Sequence, residues 1–149
     1  MEKSAKRSIS FFDCYDRFRF LQGIQRYLWA SKGRFLFERG TTAIDEVIKR
    51  PADMAARYGG EEFALILPET SSEGAVSLAE KLLKSIYDLN LEHKNNSCEP
   101  RVTVSMGVAT LKVDKESDFT KLISQADKAL YAAKDSGRNR LSVFGENKI

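Results

Sequence analysis

Met54-Ala55-Ala56-Arg57-Tyr58-Gly59-Gly60-Glu61-Glu62-Phe63-Ala64-Leu65-Ile66-Leu67-Pro68 is the stretch on which the fold turns. Two strand-like runs, Met54–Tyr58 and Glu62–Leu67, flank a Gly-Gly pair. Glycines so placed accept the positive φ of a tight hairpin, and Pro68 ends the second run. Upstream, Thr42–Lys49 reads as the end of a helix stopped before Pro51. Downstream, Thr70-Ser71-Ser72-Glu73 fits a capping box. Ala75, Leu78, Ala79, Leu82, Leu83 and Ile86 follow at helical spacing.

Beyond that helix, Leu91–Glu99 is polar and irregular, a loop with room for a short edge strand. Arg101–Met106 alternates and is rich in β-branched residues, which predicts a strand with one buried face. A second amphipathic helix is predicted from about Phe119 to Lys134, with Phe119, Leu122, Ile123, Ala126, Ala129, Leu130 and Ala133 on its apolar side. Gly137 stands where a left-handed cap residue belongs, and Leu141–Phe144 is a last strand. Strands interleaved with covering helices predict an α/β or α+β sandwich.

The 149 residues are one domain's worth, 42% hydrophobic and 30% charged, as in a soluble globular protein. No apolar run approaches the ~20 residues needed to cross a bilayer, and the start lacks a signal-peptide core, so the expected location is cytoplasmic. Cys14 and Cys98 have no metal-type spacing and read as free thiols. His93 reads as a surface residue in a polar loop, and Trp29 supplies no functional argument. The net charge of +3 is uneven: residues 1–50 hold 11 basic and 6 acidic side chains, residues 51–149 hold 13 and 15. A basic first third is able to meet phosphates or an anionic surface.

Arg57-Tyr58-Gly59-Gly60-Glu61-Glu62-Phe63 resembles the GG(D/E)EF signature of diguanylate cyclases. Taken alone, a Gly-Gly turn beside two solvated glutamates would explain it. The context points further. Val102-Thr103-Val104-Ser105-Met106-Gly107-Val108-Ala109 resembles the family's TVSxGVA strand. Ala126-Asp127-Lys128-Ala129-Leu130-Tyr131-Ala132-Ala133-Lys134 with Gly137-Arg138-Asn139 resembles its ADxALYxAKxxGRN helix. Order and spacing agree over residues 43–144, so the chain is read as a single GGDEF domain over 1–149, family-like over 43–144 and atypical over 1–42.

The resemblance implies a nucleotidyl-cyclase palm-like fold, a central mostly antiparallel sheet flanked by helices. It implies a bacterial signalling transferase condensing two GTP into cyclic di-GMP, with Mg²⁺ or Mn²⁺. Each domain holds one GTP, so catalysis needs a homodimer; neither nucleic acid nor a membrane segment enters. Glu61 and Glu62 are the implied catalytic and metal-binding carboxylates, while Gly59 and Gly60 let phosphates approach the backbone. Lys134 and Arg138 match the pair that grips the GTP phosphates; cations there also complement the helix dipole. Arg50-Pro51-Ala52-Asp53 resembles the RxxD element that binds cyclic di-GMP as a feedback inhibitor. Its plain alternative is a surface ion pair.

The opening third departs from the family. None of I-D-x-D, F-K-x-x-N-D or Y-G-H-x-x-G-D stands between Phe12 and Gly40. Asp13 and Asp16 are two residues apart rather than one, and no Asn–Asp pair follows. The family's central strand must then come from Ser8–Tyr15 or be malformed, with reduced stability expected near the N-terminus. Read one base out of frame, residues 17–40 with permitted codons give D-F-D-F-F-K-A-Y-N-D-T-Y-G-H-Q-K-G-D-S-C-L-K-E-V. That string carries the D-x-D of the first motif and the other two motifs in order, and CGA codons at Arg17, Arg19 and Arg26 are required for it. Compensating frameshifts near Phe12 and Gly40 also account for the six Arg or Lys and one acid of residues 17–39. A membrane-surface or nucleic-acid stripe is the rival reading. With a metal ligand and both guanine readers missing, the expectation is little or no cyclase activity. The alternatives are a degenerate domain that binds cyclic di-GMP or serves as an interaction module, and a damaged product without function. The lead-in D-x-L-T-x-x-x-N-R-R and a sensor segment are missing upstream, which fits the tail of a larger protein.

Overall fold

The computed structural model describes residues 6–13, 39, 41–59, 62–92, 100–112 and 118–145, with 6–13 and 57–59 by backbone alone. In chain order the elements are β1 (Lys6–Asp13), a helical segment α1 over 41–47, β2 (Met54–Gly59), β3 (Glu62–Pro68), α2 (Ser72–Asp88), β4 (Ser105–Lys112), α3 (Phe119–Asp135) and β5 (Leu141–Val143). The five strands form one sheet in the order β2-β3-β1-β4-β5. Neighbours are antiparallel except β4 and β5, which are parallel because α3 carries the chain back between them. The sheet is mostly antiparallel, as the family resemblance implies.

Both faces of the sheet are covered, which explains why β3 reads as an unbroken apolar run. Phe63, Leu65 and Leu67 point to one side and join Met106 and Val108 under Ala75, Ala79, Leu82 and Ile86 of α2, with Ala43 and Ile44 of α1. Ala64 and Ala109 face the other way and meet Leu122, Ala126 and Leu130 of α3. At Gly107 the α3 backbone lies directly on the sheet. A Cβ there would overlap the backbone of Ala126 and Leu130, so the position admits no side chain.

Several local expectations shift. The N-cap of α2 is Ser71, whose Oγ accepts from Gly74 N at 3.2 Å, one residue later than the capping box suggests. Strand β4 begins at Ser105 and runs through Lys112, where a strand over Arg101–Met106 was expected. Its described pairing with β1 runs from Lys112, opposite Lys6, to Ser105, opposite Asp13. Val102, Thr103 and Val104 are nonetheless all buried, so the alternation there does not mark one exposed face. Arg101 makes an isolated antiparallel bridge with Glu92 and stacks over the Tyr87 ring at 4.5 Å, fastening this segment to α2. Phe119, placed on the apolar side of α3, is 42% exposed at its first turn. Asp118 caps that helix, and the segment expected over Ser8–Tyr15 is the strand Lys6–Asp13.

Candidate nucleotide site

Strand register, with the hydrogen bonds of the flanking turns, separates the described candidate residues into two groups at opposite ends of β3. At one end, Glu62 opens β3 opposite Asp13 of β1, and Asp13 lies opposite Ser105 of β4. One step further, Met106 is opposite Leu141 of β5, and Met106 N donates to Arg140 O at 2.9 Å. The turn that carries Arg138 therefore reaches the sheet at the end where Glu62 sits. From β3 to β5 is three interstrand spacings, ~14 Å.

That turn is built for position. Arg138 N donates to Ala133 O at 3.1 Å and Gly137 N to Lys134 O at 3.3 Å, the paired bonds of a Schellman ending, with Gly137 at φ 113°. Arg138 and Asn139 continue at φ 62° and 46°, a conformation that costs a side-chain-bearing residue about 1–3 kcal/mol each. Both are half-buried, and they fix Arg138 beside the start of β5. Lys134 lies one turn earlier, in the last turn of α3.

Glu62 is half-buried. Gly60 and Glu61 lie outside the described residues, as do Cys14, Trp29, His93, Cys98 and the segment 14–38; Gly59 is described by backbone alone, closing β2 beyond a register shift between Arg57 and Gly59. Among the described residues no group of three His, Cys, Asp or Glu side chains is gathered for a metal.

The other end of β3 holds Arg50 and Asp53. Arg50 Nε donates to both carboxylate oxygens of Asp53 at 3.1 Å, and its Nη2 donates to Oδ1 at 2.5 Å. The same Nη2 donates to Pro68 O at 2.8 Å and meets Thr70 Oγ1 at 2.6 Å, and Thr70 Oγ1 donates in turn to Pro68 O at 3.0 Å. The Arg50 side chain is 47% exposed and that of Asp53 only 2%. Hydrogen bonding to Asp53 outweighs desolvation and raises the Arg50 pKa further above its already high ordinary value, so it is a fixed cation. Sequence reasoning found Arg50 and Asp53 and missed Thr70 and the Pro68 carbonyl. Thr70 was read as a helix cap, and nothing local ties it to Arg50, 20 residues earlier.

The family profile described as "Diguanylate cyclase, GGDEF domain" matches residues 20–140. The chain belongs to the GGDEF family. The matched span takes in most of the stretch where the three opening motifs are missing. "Diguanylate cyclase A" of Treponema denticola is 39% identical over 114 residues, covering 72% of this chain and 30% of the relative. "Diguanylate cyclase DgcM" of Escherichia coli K12 is 42% identical over 96 residues, covering 64% and 22%. This GGDEF domain thus spans less than a third of the length of these relatives. Among solved structures, the active GGEEF domain of a diguanylate cyclase from Vibrio cholerae aligns with TM-score 0.77 and 26% identity, covering 95% of this chain and 85% of that one. The GGDEF domain of DgcB from Caulobacter crescentus, in complex with c-di-GMP, aligns with TM-score 0.74 and 26% identity, covering 95% and 80%. The fold is that of the nucleotidyl-cyclase palm.

Proposed function

We propose that this domain derives from a diguanylate cyclase, that its GTP site lies at the hairpin end of the sheet, and that the printed chain turns over little or no GTP. One observation carries the placement: register across β3, β1, β4 and β5 puts Glu62 and the Arg138 turn at the same end. In this reading Gly59 and Gly60 admit the phosphates, and Lys134 and Arg138 hold them by charge-assisted bonds. Glu61 accepts the proton of the attacking 3′-hydroxyl, with Glu62 beside it. Their carboxylate oxygens are hard donors of the kind Mg²⁺ or Mn²⁺ takes, and such an ion, when bound, polarises the α-phosphate and offsets developing charge. Two such domains must face each other to join two GTP, so a homodimer is part of the proposal, as is a cytoplasmic location. The missing Asp, Asn and Asp of the opening third remove one metal ligand and the guanine readers. Purified protein incubated with GTP and Mg²⁺ tests this: cyclic di-GMP is expected at background, and robust turnover would overturn the claim of impairment.

A second reading, a domain that binds cyclic di-GMP without making it, draws on the Arg50–Asp53 arrangement, whose described bonds lie within residues 50–70. Calorimetry with cyclic di-GMP distinguishes it from a chain with no function.

A further inference from the structure

The two long helices carry their outward charges differently. On α2, Lys84 and Asp88 stand four residues apart and pair with each other at 2.5 Å. On α3, Leu122, Ala126, Ala129, Leu130 and Ala133 take the buried side. Ser124, Lys128, Tyr131, Ala132 and Asp135 follow at i, i+4, i+7, i+8 and i+11 and form an exposed stripe on the opposite side. Its two charges, Lys128 and Asp135, are two helical turns apart, ~10.5 Å, beyond the reach of an intrahelical pair. Among the described residues no ion pair engages either of them. Asp135 is also the last residue of α3, at the helix's negative end, where a carboxylate is disfavoured. Between the two charges stands Tyr131, 71% exposed, the most exposed large hydrophobic side chain among the described residues.

We infer that this stripe of α3 is a docking surface for a second copy of the chain, lying antiparallel on the first. The order of the charges carries the inference. About a two-fold axis midway between Tyr131 and Ala132, Lys128 and Asp135 lie equally far to either side, ~5 Å along the helix. The axis brings Lys128 level with Asp135 of the second copy and Asp135 level with its Lys128, so both charges find partners in one contact. It also sets Tyr131 beside the small Ala132 of the second copy, which leaves room to cover the ring, and does so twice. A partner of a single sign, such as a phosphate-rich surface, would meet one charge and repel the other. Exposed ion pairs add little affinity and mainly fix register and partner, and one helix face is a small area, so the dimer is weak and reversible. Glu62, Lys134 and Arg138 lie outside the stripe. The contact goes beyond the facing pair proposed for catalysis and does not depend on it.

Sedimentation equilibrium of the full chain from about 10 µM to about 1 mM tests it, with thermal unfolding of each variant as a control. The wild type is expected to dimerise with a Kd below about 500 µM, as a small transient interface would. Lys128→Glu alone sets like charges against each other twice and should raise Kd at least about tenfold; Asp135→Lys alone should do the same. The doubly reversed chain, Lys128→Glu with Asp135→Lys, should return to within about threefold of wild type. An equimolar mixture of the two single variants should also dimerise, since each supplies the charge the other lacks. Tyr131→Ala should weaken the dimer about tenfold. All three positions are exposed, so each variant should unfold within about 2 °C of wild type. A wild type still monomeric at about 1 mM would overturn the docking surface. So would a dimer indifferent to both single reversals, which would belong to another face and leave the proposed catalytic pairing untouched. Failure of both the doubly reversed chain and the mixture to recover would overturn the antiparallel pairing.

Discussion

The two ends of β3 are only ~20 Å apart, yet they were assembled in different ways. At the Pro68 end, where Arg7 of β1 lies opposite Pro68, the described bonds of Arg50 all go to residues 53–70, and the arginine, carboxylate, threonine and carbonyl meet within one loop and one strand terminus. At the Glu62 end the neighbours come from the whole chain: Asp13 of β1, Ser105 of β4 and the turn after α3. On the proposed reading, a change confined to residues 12–40 leaves the described bonds of Arg50 in place and takes away residues that the Glu62 end would use. Sites of short sequence separation survive local rewriting of a chain; sites gathered across a sheet do not.

The largest effect should come from Gly107, where α3 rests on β4. Gly107→Ala forces the helix backbone off the sheet and is expected to destabilise the fold by more than about 3 kcal/mol in urea denaturation, because the obstruction is backbone and cannot rotate away. It should disrupt the Glu62 end first, since Lys134 and Arg138 ride on α3. Next in size, Lys134→Ala combined with Arg138→Ala should weaken GTP binding by about 10–100-fold in the presence of Mg²⁺ while leaving cyclic di-GMP binding at Arg50 unchanged. Equal losses of both ligands would mean that the two ends are not separate.

Smaller effects sharpen the contrast further. Ser71→Ala removes the α2 cap and should cost about 1 kcal/mol of stability, read by the same denaturation. The slightest concerns Asp118, whose side chain accepts from Thr120 N at 2.9 Å and from the Thr120 hydroxyl. These bonds, the hydroxyl's first and the backbone's second, hold its carboxyl below the ordinary carboxylate range. A depressed folded-state pKa gives stability that is present above the unfolded value of about 3.9 and is lost as pH falls through the lower folded value. Asp118→Asn should therefore lower the thermal midpoint slightly at neutrality, and its difference from wild type should shrink as pH falls below about 4.

Much of the architecture was legible. The β2–β3 hairpin announced itself through Gly59-Gly60 between apolar runs, and both long helices through their apolar stripes, because those signals are local and periodic. The displaced start of β4 was not legible, since Arg101–Val104 has a strand's composition and burial of Val102, Thr103 and Val104 does not by itself require a ladder. Phe119 misled for a related reason: helical spacing gives the face, while exposure at a first turn depends on what lies above it. The placement of Arg138 near the Glu62 end follows from register, which no motif prints. Thr70's bond to Arg50 was invisible because 20 residues separate a cap-like threonine from an arginine already assigned a partner. Frame-shifted codons belong to the nucleic acid, and the gene decides them: Arg17, Arg19 and Arg26 should carry codons ending in GA.

The central claim is that one wall of the catalytic end has been overwritten while the rest of the domain stands. Cyclic di-GMP production from GTP and Mg²⁺ should be compared between the printed chain and one whose residues 17–40 are replaced by D-F-D-F-F-K-A-Y-N-D-T-Y-G-H-Q-K-G-D-S-C-L-K-E-V. The account predicts background for the first and a rise of at least about 10²–10³-fold for the second, the scale of restoring groups that stabilise developing charge. Equal rates in the two chains, whether both active or both silent, would contradict it.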